Sequence, residues 1–155
     1  MSFIVTGLAA DQFAPLFALD DAALAERHIV RRVAEPGSRN PCRVTLEDAA
    51  PGDSLLLLNY EHQDAATPYQ SKHAIFVNQN AARAAVFVDQ IPPVFRGRTL
   101  ALRAYDADGM MLWAEIVPGE DAPAAIARGF AEPGAAYIHA HNAARGCYAA
   151  RIDRA

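Results

Sequence analysis

Apolar and polar positions alternate most strongly over residues 54–62, where Leu55, Leu57, Asn59 and Glu61 oppose Leu56, Leu58, Tyr60 and His62. The first half of this stretch is apolar on both faces, which predicts a strand covered on two sides. Its end turns abruptly polar in Asn59-Tyr60-Glu61-His62-Gln63, so a rigid element carries polar groups to a rim. Shorter runs predict strands over residues 3–6, 29–33, 42–46 and 73–77. In residues 42–46 the alternation sets Cys42, Val44 and Leu46 on one face, and Arg43 and Thr45 on the other. Residues 99–105 and 110–117 flank Asp106-Ala-Asp-Gly109, a hairpin signal.

Helical spacing is weaker. Phe13, Leu16 and Phe17 recur at helical intervals, but Pro15 interrupts them unless it falls in the first turn. Asp20 or Asp21 caps a second piece over residues 22–27. Asp121 caps a third through Phe130, with Pro123 near its first turn and Ile126 and Phe130 facing inward. The alanine-rich residues 78–87 are expected to form a short helix. The elements predict an α+β domain spanning residues 1–155, with a largely antiparallel sheet of about six or seven strands and two or three short helices.

Composition narrows the function. The 155-residue chain is 52% hydrophobic with a net charge of −4 and no basic tract, which disfavours a nucleic-acid partner. No apolar run, Leu55 to Leu58 included, approaches a membrane span. The N-terminus carries no signal-peptide pattern, so a cytoplasmic location is the expectation. Two cysteines, Cys42 and Cys147, are too few for a disulfide framework. Neither a G-x-G-x-x-G nor a Walker motif is present.

The chemistry gathers in Tyr137-Ile-His-Ala-His-Asn-Ala-Ala-Arg-Gly-Cys-Tyr148, which reads as strand, turn at Gly146 and returning strand. His139 and His141 lie two apart and therefore share a face, where both can ligate one divalent metal ion. A third ligand has to come from His62, Glu61, His73 or Cys147. Turn length decides where Cys147 points. A four-residue turn over 143–146 pairs His141 with Tyr148 and sends the thiol to the face opposite the histidines. A three-residue turn returns it to their face, where it could act as a nucleophile. The four-residue form is preferred here, and the thiol is then a packing group, as Cys42 is.

Further candidates follow from position. His139, His141, His62 and Glu61 are the candidate acid–base groups, although Glu61 and His62 face opposite ways unless the strand bulges. Arg43 could hold a carboxylate or phosphate bidentately, or form a structural ion pair with a carboxylate such as Glu61. Asn59, Tyr69, His73, Asn142 and Arg145 complete the candidate ligand contacts.

The strings Pro41-Cys-Arg-Val-Thr-Leu46, Leu56-Leu-Leu-Asn-Tyr-Glu-His-Gln63, Ser71-Lys-His-Ala-Ile-Phe-Val77 and residues 137–150 resemble a family of small bacterial proteins known only as a domain of unknown function. The resemblance implies a stand-alone bacterial protein and carries no catalytic role. Three readings follow: a site for a small anionic ligand at a sheet rim with acid–base chemistry, a metal-binding protein using the His-x-His strand, or a non-enzymatic binding module.

Overall fold

The computed structural model describes residues 1–155, which form nine strands in two antiparallel sheets with three short α-helices. In chain order the strands are β1 (Phe3–Thr6), β2 (Val30–Val33), β3 (Ser54–Gln63), β4 (Ser71–Asn78), β5 (Val86–Val88), β6 (Thr99–Tyr105), β7 (Met111–Pro118), β8 (Tyr137–Asn142) and β9 (Tyr148–Arg154). The large sheet has the order β5-β1-β9-β8-β6-β7, and the small one β2-β3-β4. The architecture is the expected α+β type. There are nine strands against the six or seven expected, and the one with no counterpart in the sequence pattern is β5, three residues long and in the stretch expected to be helical.

Each sheet buries one core. The helix α3 (Ala122–Ala131) lays Ala125, Ile126 and Phe130 on the large sheet, against Leu100, Leu102, Ile138 and Ala140. The smaller α1 (Ala14–Phe17) and α2 (Asp21–Glu26) cover the small sheet, with Leu24 and Phe13 packed among Leu56, Leu58, Ile75 and Val77. The Asp20 side chain caps α2 by accepting from the Ala23 N–H at 2.8 Å. Pro15 sits in the first turn of α1, and the predicted helix is broken there into a 3-10 turn and a single α-turn. No helix is long and apolar enough to cross a membrane.

Two predicted elements are replaced by others. Residues 42–46 form a turn rather than a strand: Leu46 N–H donates to the Cys42 carbonyl, and Leu46 takes a left-handed φ of 55°. The alternating apolar residues do not share a face. Cys42 and Val44 enter the small-sheet core, while Leu46 enters the large-sheet core, so the turn joins the two. Residues 78–87 form no helix. The Asn78 side chain accepts from the Asn80 N–H and ends β4 in a turn. Beyond it, Ala85 N–H donates to the Val44 carbonyl and Gly7 N–H to the Ala85 carbonyl, which draws the alanines into backbone bonding with two neighbours. Low side-chain bulk here permits close backbone approach rather than helix formation.

The same three-way junction tolerates nothing larger than glycine at position 7, where a Cβ would collide with the Val44 carbonyl oxygen. Gly7→Ala is therefore expected to cost about 2 kcal/mol or more in urea unfolding, since the clash is with backbone and cannot relax by rotamer change. Gly37→Ala, where φ is 75° and nothing lies within 4 Å, should cost only about 1 kcal/mol. Equal losses at the two positions would contradict the junction.

Candidate metal centre

On β8 the side chains alternate between the α3-covered core and the opposite face. Ile138 and Ala140 point to the core, leaving Tyr137, His139 and His141 on the other side. Both histidines are sealed, at 3% and 0% exposure. Their cross-strand partners on β6 are Arg103 and Ala101, and on β9 Arg151 and Tyr148.

The β8–β9 turn is the four-residue form. His141 pairs with Tyr148, Asn142 N–H donates to the Cys147 carbonyl at 2.9 Å, and Gly146 N–H donates back to the Asn142 carbonyl at 2.7 Å. Gly146 takes a φ of 76°, a left-handed geometry suited to glycine. Just beyond the turn, Ala149 is an extra residue between the Tyr148–His141 and Ala150–Ala140 pairs. This bulge shifts the alternation by one, so that both Tyr148 and Arg151 lie on the histidine face.

The third imidazole crosses from the small sheet. Along β3, Glu61 pairs with Lys72 and Gln63 with Ser71, so His62 is the inserted residue of a second bulge. The distortion turns His62 and Gln63 both toward β8. Gln63 Nε2 donates to the Tyr137 hydroxyl at 2.8 Å. The His62 ring stacks on Tyr148, with centroids 5.4 Å apart and planes 8° from parallel, and meets His141 and His139 edge-on at 4.9 and 6.0 Å.

His62, His139 and His141 thus each offer a ring nitrogen, all within 4.8 Å of one another. Three nitrogens around a tetrahedral ion at about 2.0–2.1 Å would stand roughly 3.3 Å apart, so closure needs inward shifts of up to about 1 Å each. His141 is already oriented for this. Its Nδ1 lies 2.9 Å from the Gly146 carbonyl oxygen, an acceptor only, so Nδ1 carries the proton and Nε2 keeps its lone pair. That Nε2 is buried with no hydrogen-bond partner, as are His62 Nδ1 and His139 Nδ1.

Electrostatics keep the rings neutral. Burial lowers the His62 pKa from 6.5 to about 4, helped by the Arg103 and His73 charges. Burial likewise lowers His139 to about 3, with His141 and His62 adding repulsion. His141 is also lowered to about 3 by burial and Arg103, against a smaller opposing effect of its bond to Gly146. Neutral imidazole is the form that binds metals. The cluster is suited to a divalent ion.

Residues 39–154 match the family described as "Protein of unknown function (DUF1203)". The chain belongs to the DUF1203 family. No curated protein and no solved structure matches it. The DUF1203 span contains all three histidines, both bulges and the turn at Gly146, and leaves out β1, β2, α1 and α2.

The remaining DUF1203 site candidates fall in three places. Glu61 and Asn59 are exposed on the face of β3 opposite Tyr60, and the Glu61 carboxylate accepts from Gln70 Nε2 at 2.8 Å. Glu61 therefore does not join the histidines, and it makes no ion pair with Arg43. Tyr69 packs edge-on against Tyr105 at 6.4 Å, and Tyr105 in turn touches His139 at 5.3 Å, so Tyr69 sits one ring removed from the cluster. His73, Arg43, Asn142, Arg145 and Cys147 line a separate cleft on the other side of the β8–β9 turn. Cys147 accepts from Arg43 Nη2 and Asn142 Nδ2, both at 3.3 Å, away from the histidine face.

Two residues at the site, Arg103 and Tyr148, are not among the candidates that the sequence pattern marks. Arg103 is a cation in the otherwise apolar β6, opposite His139, which is the signal that could have marked it. Tyr148 needed the turn length and the Ala149 bulge together.

Because the folded-state pKa values lie below 6.5, the unfolded chain takes up protons first as pH falls. The metal-free protein should hold the full contribution of neutral histidines near pH 7. It should lose stability progressively from about pH 6.5 down to about pH 3, through the folded-state values. A His139→Leu/His141→Leu variant should show a flatter decline of melting temperature across that window; an unchanged slope would contradict the assignment.

Proposed function

We propose that this DUF1203 protein binds one divalent transition-metal ion, of the zinc type, through His62, His139 and His141, with the fourth coordination position open. The observation that carries the reading is that the three histidines each offer a ring nitrogen within 4.8 Å of the others, and that each holds a buried ring nitrogen without a hydrogen-bond partner. An unpaired buried acceptor costs about 1–3 kcal/mol, and an ion would satisfy all three at once. The donor set is chemically apt: three neutral nitrogens, one of them backed by a backbone carbonyl, match the usual make-up of open zinc sites.

Acid–base catalysis by the same histidines is less well supported. A general base works best with a pKa near the operating pH, whereas burial pushes these rings to about 3 and 4. As ligands they need only remain neutral. Arg103 then has a role: a cation beside a dication favours an anion or hydroxide at the open position, between the two charges. Tyr148, stacked on His62 and with its hydroxyl pKa raised by burial, stays protonated and orients the ring.

Protein purified without an affinity tag and incubated with Zn²⁺ should retain about one equivalent per chain by elemental analysis. Replacing Zn²⁺ by Co²⁺ should give the visible absorption bands of a four- or five-coordinate ion. His62→Ala should lower metal affinity at least tenfold, because losing one of three ligands leaves a two-point site. Cys147→Ser should leave stoichiometry and spectrum unchanged. No retained metal in the unmodified protein, or an altered cobalt spectrum in Cys147→Ser, would sink the three-histidine assignment.

A further inference from the structure

The β8–β9 turn has a second side. A cleft of about 710 Å³ opens between it and the outer face of the small sheet, and none of the three histidines of the metal centre lines it. The volume is in the range of small-molecule sites. One wall is apolar, formed by Leu57, Ala74 and Phe76. The other carries four guanidinium groups, on Arg39, Arg43, Arg98 and Arg145, and no carboxylate is among the lining side chains.

That concentration of positive charge does not follow from composition, since the chain is net −4. It is only partly neutralised. Arg98 and Arg39 share one carboxylate, Asp48, at 2.6 and 3.8 Å. Arg43 has none. It is 2% exposed, and its guanidinium donates to the Tyr148 and Pro41 carbonyl oxygens and to the Cys147 sulfur. Burial lowers its pKa. A buried cation held only by neutral dipoles is costly unless an anion reaches it. Arg145, on the turn itself, is exposed and makes no ion pair or side-chain hydrogen bond, so it is free to close over a bound group.

We propose that this cleft binds a small organic oxyanion, a carboxylate or phosphate on a compact apolar body. The anionic group lies toward Arg43 and Arg145, and the body lies on Leu57 and Phe76. Guanidinium forks match both oxyanions bidentately, and the opposite wall rewards an apolar substituent. The site is distinct from the metal centre, since none of the three histidines lines it, although His73 in its lining is near enough for its charge to act on His62 and His141.

The test uses the full chain at low ionic strength, titrated calorimetrically with phenyl phosphate, benzoate, inorganic phosphate and the neutral benzyl alcohol. The two organic anions should bind at least tenfold more tightly than benzyl alcohol. Arg145→Gln should weaken them about tenfold without changing the melting temperature of the free protein, and Arg83→Gln, outside the cleft, should not. Amide NMR shifts on titration should centre on Thr99, Asn142 and Arg145. A preference between phenyl phosphate and benzoate would name the oxyanion, and either order supports the proposal. Equal binding of benzyl alcohol, affinity untouched by Arg145→Gln, or shifts centred elsewhere would overturn it. Inorganic phosphate binding as tightly as phenyl phosphate would overturn the role of the apolar wall. Preserved anion binding in His62→Ala would keep this result distinct from the fate of the metal assignment.

Discussion

A strand of regular pleat can turn His62 or Gln63 toward the large sheet, but not both. The inserted residue in the β3–β4 ladder removes that restriction, and the two side chains reach β8 together. Gln63 fastens the end of the small sheet to Tyr137, and His62 is thereby held against His141 and Tyr148. Without this distortion the small sheet would present one polar group to the large one, and the histidine pair on β8 would have no third partner. The second bulge, at Ala149, does the matching work on the other sheet by bringing Tyr148 to the same face as Arg151. Two local irregularities in otherwise regular ladders thus build the site, in keeping with the tendency of bulges to re-aim side chains beside functional groups.

The burial that creates the cluster also decides its chemistry. Imidazoles gathered between two sheets, two of them sealed and one half-buried, and faced by Arg103, hold a proton poorly, so they remain acceptors at neutral pH. Acceptors without donors are unfavourable in a protein interior. The fold therefore gathers ring nitrogens without donors in one place. On the far side of the same hairpin the imbalance is reversed, since Arg43 is a buried donor and cation with no anion. The β8–β9 hairpin separates an electron-rich site from an electron-poor one.

Much of this was legible in the sequence. The period of two placed His139 and His141 on one face, and the four residues from Ala143 to Gly146 gave the turn and sent Cys147 away from them. The strong strand ending in Asn59–His62 was visible as a carrier of polar groups. What alternation cannot show is an inserted residue, because a bulge leaves the pattern intact and changes only its pairing. Hence alternation leaves His62 as one of four candidate third ligands, with Glu61 among them. The turn at residues 42–46 escaped for a related reason: its apolar residues alternate, yet they feed two different cores rather than one face. The alanines of 78–87 carry no period at all, and their backbone partners, Val44 and Gly7, are distant in sequence.

The carbonyl of Gly146 fixes the proton on His141, while its neighbours Arg145 and Cys147 border the arginine cleft. Adding or deleting one residue in this loop would exchange Tyr148 and Cys147 between the two faces, placing a thiol among the histidines and a phenol beside Arg43. The register therefore constrains the number of residues between Asn142 and Cys147 more tightly than the side chains of Ala143 and Ala144. Length, rather than side-chain identity, is what keeps the thiol and the phenol on their own sides of this hairpin.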